Sequence, residues 1–306
     1  MSNDKVVLIT GATGFIGSRV AKRFVEDGYE VHLLVRPNSS LLELAAITNS
    51  VHLHRLDATT SDLIGILKAV QPQSVLHLAS LFIAEHNAGD VEPLISSNIL
   101  FGAQLLEAMK SAGVHRFLNT GTAWQHFHSP AERPSCLYAA TKRAFQDVLD
   151  YYTDACGFTA ITLKIFDTFG PNDPRRKLFW LLRKTAKTGD ALSMSLGEQE
   201  IDLVYIDDIV EAFRLAEQRL FTLPPSTHEI FGLSSGKPMP LRKVVELYRT
   251  VINQPLSIEW GARPYRSREV MTPAILPNLP GWFPKIDLLT GLRQMHIAGN
   301  EGAKTS

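Results

Sequence analysis

Lys5-Val6-Val7-Leu8-Ile9-Thr10-Gly11-Ala12-Thr13-Gly14-Phe15-Ile16-Gly17 is a β-branched apolar run that breaks into three glycines. From 18 to 27 the pattern turns amphipathic, and it stops at Gly28. This order predicts a strand, a loop and a helix. A phosphate approaches a backbone closely only where side chains are missing, and a helix start offers free amide hydrogens and the positive end of its dipole. Gly11, Gly14 and Gly17, with Thr13, Phe15 and Ile16 beside them, supply such an opening. The spacing departs from the commoner G-x-G-x-x-G pattern, so its place between strand and helix carries the reading; elsewhere the same glycines would be a packing loop.

Outward from this loop the alternation continues. Strands are expected at 29–35, 51–56, 75–79, 116–120 and 159–165, and helices at 61–70, 93–111 and from Tyr138 onward. Strands alternating with helices imply parallel crossovers and a sheet covered on both faces. The class is α/β, a Rossmann-type doubly wound parallel sheet. Past residue 165 the pattern is less regular and richer in proline. Helices are expected there at 178–188 and 241–251, and a strand at 202–206 leads into a helix from Asp208. Residues 299–306 are small or polar and are expected to fray.

Composition narrows the function classes. Thirty-one basic residues balance thirty-one acidic ones, so no global field draws the chain to nucleic acid or an anionic membrane. Any phosphate site must therefore be local. Two cysteines without ligand spacing and no charged-then-apolar leader point to a cytoplasmic protein without disulfides. Apolar windows such as 75–84 are too short to cross a bilayer and are expected as buried strands.

The residue ending the second strand decides which dinucleotide fits, because an acid there grips a ribose hydroxyl and a base meets a 2′-phosphate. That residue is Arg36, followed by Asn38, Ser39 and Ser40, with no Asp or Glu between Val31 and Leu42. NADP(H) is the expected cofactor, against the plainer reading of a solvated surface arginine. Asp57, with Ala58 after it, suits either an adenine contact or a helix N-cap.

Tyr138 and Lys142 stand four residues apart at a helix start and so share a face. An ammonium beside a phenol favours the phenolate, which lets Tyr138 exchange a proton near neutrality. Thr122, just past the strand at 116–120, is placed to hold a substrate oxygen. Alone, each of these has a bland reading: chance spacing for the pair, a turn residue for Thr122.

Assembled, the residues resemble the extended short-chain dehydrogenase/reductase family of nucleotide-sugar epimerases, dehydratases and reductases. The resemblance rests on the segment Thr10–Gly17, Asp57, His77-Leu78-Ala79-Ser80, Asn98 with Gly102, Thr122, Tyr138 with Lys142, Phe169-Gly170-Pro171 and Tyr205-Ile206-Asp207-Asp208. It implies a dinucleotide domain over 1–165, with return segments near 203–220 and 226–233, and a smaller substrate domain over 166–306. It also implies cofactor contacts from Leu78, Ala79, Ser80, Asn98 and Phe166 beside the glycine loop, and a homodimer through the helices at 93–111 and 138–154. Leu118-Asn119-Thr120, the run from Gly170 to Lys177 and Gly261-Ala262 before Arg266 are similar to the branch containing CDP-abequose and CDP-paratose synthases. That branch reduces the 4-keto group of nucleotide-linked deoxysugars. On it, Thr122, Ala123, Trp124, Asp167, Lys177 and Arg266 are expected against the substrate, with the last two at its diphosphate. Asp167 stands where many relatives carry asparagine and Ile201 where many carry arginine.

The expected activity is NADPH-dependent reduction of such a ketone. Alternatives are an epimerase that retains NAD(P), a reductase of a non-sugar ketone, and an NADP(H) sensor without turnover. Dehydration is disfavoured, because Ala123-Trp124 follow Thr122 where dehydratases of the family carry Asp-Glu. His126 and His128 lack further ligands, so no metal is expected; with Trp124 and Phe127 they suggest a solvent-exposed loop or lid.

Overall fold

Six strands between residues 6 and 165 build most of a single parallel sheet. The computed structural model describes residues 5–56, 59–127 and 129–302. The strands are β1 (Val6–Thr10), β2 (Glu30–Val35), β3 (Val51–Arg55), β4 (Ser74–His77), β5 (Arg116–Thr122) and β6 (Thr159–Ile165). Short strands follow, β7 (Asp167–Phe169), β8 (Leu192–Met194), β9 (Glu200–Ile201) and β10 (Leu203–Tyr205), before β11 (Thr227–Leu233) returns to the main sheet. The strand order is β11-β6-β5-β4-β1-β2-β3, with every pair parallel. The order reverses at β1, so crossovers leave it to opposite faces and a crevice opens beyond its carboxyl end. The glycine loop sits there.

Period-two side chains sort into two layers. Val7, Ile9, Val31 and Leu33 face Phe24 of α1 (Phe15–Glu26) and join one core. Leu8, Leu34, Val75 and Phe117 face the other way, towards Leu67 of α2 (Thr60–Val70). Complete burial of each Leu or Phe is worth about 1.5–3 kcal/mol. The expected long helix at 93–111 is instead α3 (Val91–Ile95) and α4 (Phe101–Ala112), joined by a π-helical turn at Ser96–Leu100. Helix α5 (Leu137–Cys156) packs across α4 at Gly102, where a Cβ would stand 2.3 Å from the Phe145 ring.

Beyond β6 come α6 (Leu178–Thr188) and α7 (Ile206–Leu220), followed after β11 by β12 (Met239–Pro240), α8 (Leu241–Ile252), β13 (Ile258–Trp260) and α9 (Leu288–Gly302). Helix α9 was not expected, and it carries a glycine, Gly291, in its first turn. The missing side chain is what lets it pack: a Cβ there would lie 2.7 Å from Phe169 and Tyr205. The main core cluster runs on into Leu241, Val244 and Tyr248 of α8 and Leu292 and Met295 of α9. Among the described residues no helix is long and apolar enough to cross a membrane.

Candidate active site

Helix α1 begins at Phe15, directly after the loop, rather than at residue 18. Gly14 is its N-cap and supplies no side-chain bond, which leaves the first amides of the helix facing the crevice. Gly11 adopts φ +73°, and a Cβ on it would stand 2.5 Å from the Ala79 backbone. On Gly17 a Cβ would lie 2.2 Å from the Gly11 carbonyl oxygen. The loop is thus folded tightly against both β4 and its own helix.

At the end of β4, Thr10 and His77 set the next segment. The Thr10 hydroxyl accepts from Ala79 N at 3.2 Å and is hydrogen-bonded to His77 Nδ1, 2.9 Å away. Burial pushes His77 down to about 3, which keeps the ring neutral and able to accept. Leu78, Ala79 and Ser80 are thereby held beside the glycine loop. Asn98, in the π turn, accepts from Leu81 N at 2.7 Å and Ser80 Oγ at 3.1 Å. It donates to Leu81 O at 3.0 Å and to Thr141 Oγ1 at 2.9 Å. Asn98, which sequence reasoning expected against the cofactor, fastens the loop after β4 to α5 through its amide.

Tyr138 lies in the first turn of α5, with Lys142 one turn on. Both are buried. The Ser80 and Thr122 hydroxyls interact with the Tyr138 phenol and favour its charged form, as does Arg175, but burial outweighs them and pushes the phenol up to about 12. The expectation that Lys142 lowers Tyr138 is therefore not met. Lys142 itself is pushed down to about 8 by burial, and its Nζ has no hydrogen-bond partner. Thr122 closes the group from the end of β5: its Oγ1 accepts from Trp124 N at 3.3 Å, and Gln125 Oε1 accepts from Thr122 N at 3.0 Å.

A cleft of about 1090 Å³ opens beside these groups, with Phe82, Ala123, Trp124, Phe166, Lys177 and Arg266 in its wall. Phe82 meets Tyr138 edge to face at 5.0 Å and carries the Lys177 ammonium 4.7 Å above its ring. The Lys177 Nζ is 4.0 Å from Asp167, so the acid faces the lysine. Arg266 lies 5.0 Å over Trp124 and 3.4 Å from Glu269. Arg175 lines the same cleft as Lys177. It folds back onto both oxygens of Asp173, the Thr168 carbonyl at 2.7 Å and the face of Phe15. At the far end of the crevice, exposed Arg36 follows the last residue of β2, and its carbonyl accepts from Ser39 N at 3.0 Å. Asp57, Ala58 and His128 lie outside the described residues.

The sequence matches the model of the "NAD dependent epimerase/dehydratase family" over residues 7–228. The chain belongs to that family. It is 23% identical to CDP-abequose synthase of Salmonella muenchen over 302 residues, covering 95% of this chain and 97% of the relative. It is 28% identical to UDP-glucose 4-epimerase of Streptomyces lividans over 273 residues, 81% and 82% of the two chains. The crystal structure of Thermus thermophilus UDP-glucose 4-epimerase in complex with NAD superposes with a TM-score of 0.82 at 22% identity, over 96% of this chain and 99% of that one. That structural likeness bears on the fold.

The epimerase/dehydratase family implies a nicotinamide dinucleotide, and these residues fit one. The glycine cradle is closed to any Cβ, the start of α1 is uncapped, and the buried Lys142 Nζ lacks a partner that a ribose hydroxyl can supply. The loop expected to be solvent-exposed is the main departure. His126 is buried, with Nδ1 at 2.7 Å from Pro130 O and Nε2 at 2.9 Å from Lys164 Nζ. Since a carbonyl only accepts, Nδ1 carries the proton and Nε2 accepts from the lysine. Lys164 also pairs with Glu132, which Gln146 and Arg143 join. Gln146 in turn accepts from Gln125 at 3.2 Å, so a buried polar chain runs from Lys164 to the Thr122 backbone. Sequence reasoning missed it. The available signal was a lysine inside an otherwise apolar strand, Thr159–Ile165.

Proposed function

We propose that this chain is an NADPH-dependent reductase of the 4-keto group of a nucleotide-diphosphate-linked deoxyhexose. The observation that carries the reading is the placement of the buried Tyr138 phenol beside Thr122 and Ser80, with Lys142 one turn further along α5. A reductase needs an acid at the carbonyl oxygen, whereas the first step of a retained-cofactor epimerase needs a base at a sugar hydroxyl. Tyr138, beside two hydroxyls that can share a carbonyl oxygen with it, is placed for the former.

NADPH, when bound, supplies the hydride to the carbonyl carbon. Thr122 Oγ1 donates to the carbonyl oxygen and fixes it beside Tyr138, whose hydroxyl gives it the proton. Lys142, whose buried Nζ lacks a partner among the described residues, grips a ribose hydroxyl of the cofactor. Lys177 and Arg266 meet the diphosphate, with Lys177 kept within reach by Asp167 and Phe82. Binding at those distant phosphates helps to position the reacting carbon. Arg36 at the end of β2, with no acid near it in sequence, supports NADPH over NADH. The CDP-abequose synthase relative, aligned over nearly its whole length, favours the same substrate class.

The second reading is a UDP-sugar epimerase, favoured by the Streptomyces lividans relative and by the fold of NAD-bound epimerases. A homodimer through α4 and α5 accompanies either reading; Ile95 of α3, Leu100 of the π turn and Tyr151 of α5 are exposed there. Nucleotide-linked 4-keto-6-deoxyhexoses differing in base, assayed by NADPH oxidation, test the proposal. One of them is expected to turn over, with Lys177→Ala and Arg266→Ala each raising KM. No turnover of any of them, alongside interconversion of UDP-sugars, would favour the epimerase.

A further inference from the structure

We propose that the chain binds a divalent transition-metal ion of the zinc class through Glu30, His32 and His52, at the end of β2 away from the glycine loop. The period-two face that holds Leu34 also holds Glu30 and His32. His52 and His54 of β3 are the register partners of His32 and Leu34, so four polar groups line one side of two strands. The His32 and His52 rings stack with centroids 4.5 Å apart. Glu30 Oε1 lies 2.9 Å from His32 Nε2 and 3.6 Å from His52 Nε2, and the three donor atoms lie within 4.8 Å of one another.

Two imidazole nitrogens and one carboxylate oxygen are a borderline donor set that suits zinc, nickel or copper rather than magnesium or calcium. Ligand bonds of about 2.0–2.2 Å around a tetrahedral ion put donors about 3.3–3.5 Å apart, so small side-chain movements close the site. Glu30 and His52 are 44% and 61% exposed, which gives an ion an open path and leaves room for water as a fourth ligand.

His54 makes the arrangement more than a chance pair. Its Nε2 lies 2.9 Å from His32 Nδ1. When His32 binds a cation through Nε2, its proton sits on Nδ1 and is donated to His54. A ligating histidine with its other nitrogen so engaged is fixed in tautomer and orientation. The ion would join the edge strand β3 to β2, the strands that flank the turn carrying Arg36. It is a structural site, separate from the catalytic cleft.

Isothermal titration of the tag-free full chain with zinc chloride tests this. One site per chain is expected, with a zinc-dependent rise in Tm. His52→Ala and Glu30→Gln, at exposed positions, are expected to weaken binding by at least about tenfold, as is His54→Phe. His115→Ala, an exposed histidine on another strand end, should leave it unchanged. Cobalt(II) should give visible absorption bands that His52→Ala removes. Zinc binding no tighter than millimolar, or equal in the parent chain, His52→Ala and Glu30→Gln, overturns the proposal. None of these readouts depends on the reductase reading.

Discussion

Asn98 donates to Thr141 across 2.9 Å, and Thr141 in turn donates to the Tyr138 carbonyl at 2.7 Å, so a single amide ties the π turn before α4 to the catalytic turn of α5. The same amide holds Leu81 and Ser80 on its other side. The loop after β4 and the first turn of α5 are therefore fastened to each other through one side chain.

Asn98→Ala leaves Leu81 N and O without their partner in a buried setting. A loss of about 1–3 kcal/mol in unfolding free energy is expected. Activity at saturating substrate should fall more than KM rises, because Tyr138 is mispositioned rather than a contact removed. Urea unfolding and steady-state kinetics measure the two effects.

Lys142→Met separates stability from activity. The wild-type lysine is depressed from 10.5 to about 8 by burial, which corresponds to about 3 kcal/mol against the folded state when charged. Between pH 8 and 10.5 the unfolded chain binds the extra proton, so stability should rise with pH across that window. The methionine variant should be more stable than wild type at pH 7, lose that pH dependence and have no detectable turnover.

Gly17→Ala puts a Cβ 2.2 Å from the Gly11 carbonyl oxygen, and backbone cannot yield as a flexible side chain does. The loop must open. Affinity for any dinucleotide is expected to fall at least about tenfold, read by quenching of intrinsic fluorescence. A control at Gly65, where nothing lies within 4 Å, should bind normally.

Arg36→Ala discriminates the cofactors. A charge-assisted contact to a 2′-phosphate is worth about 1.5–3 kcal/mol, so NADPH affinity should drop by roughly 10- to 150-fold while NADH affinity stays unchanged. Equal effects on both would make Arg36 an ordinary surface residue.

Much of this arrangement is legible in sequence where a local pattern has one physical meaning. Strand β6 and helix α6 fall at the expected bounds, since each has a clean period and a flanking breaker. The glycine loop, Tyr138 and Lys142 declare themselves by spacing and by their place after predicted strands. What escaped depends on tertiary contact. The π turn at Ser96–Leu100 keeps helical periodicity and is visible only in its backbone. Strands of two or three residues such as β8 and β9 carry no period. Phe82 and the Lys164–Glu132 pair acquire their roles from residues distant in the chain. The direction of the Tyr138 shift likewise follows from its burial, which spacing to Lys142 does not reveal.

The stoichiometry of NADPH consumption is the decisive measurement. With a nucleotide-linked 4-keto-6-deoxyhexose and NADPH deuterated at C4, one equivalent of NADPH should disappear per product formed, with deuterium at the new C4 of the sugar and no reaction in Tyr138→Phe. Product formed from a UDP-hexose with no net loss of NADPH would contradict the reductase and leave an epimerase in its place.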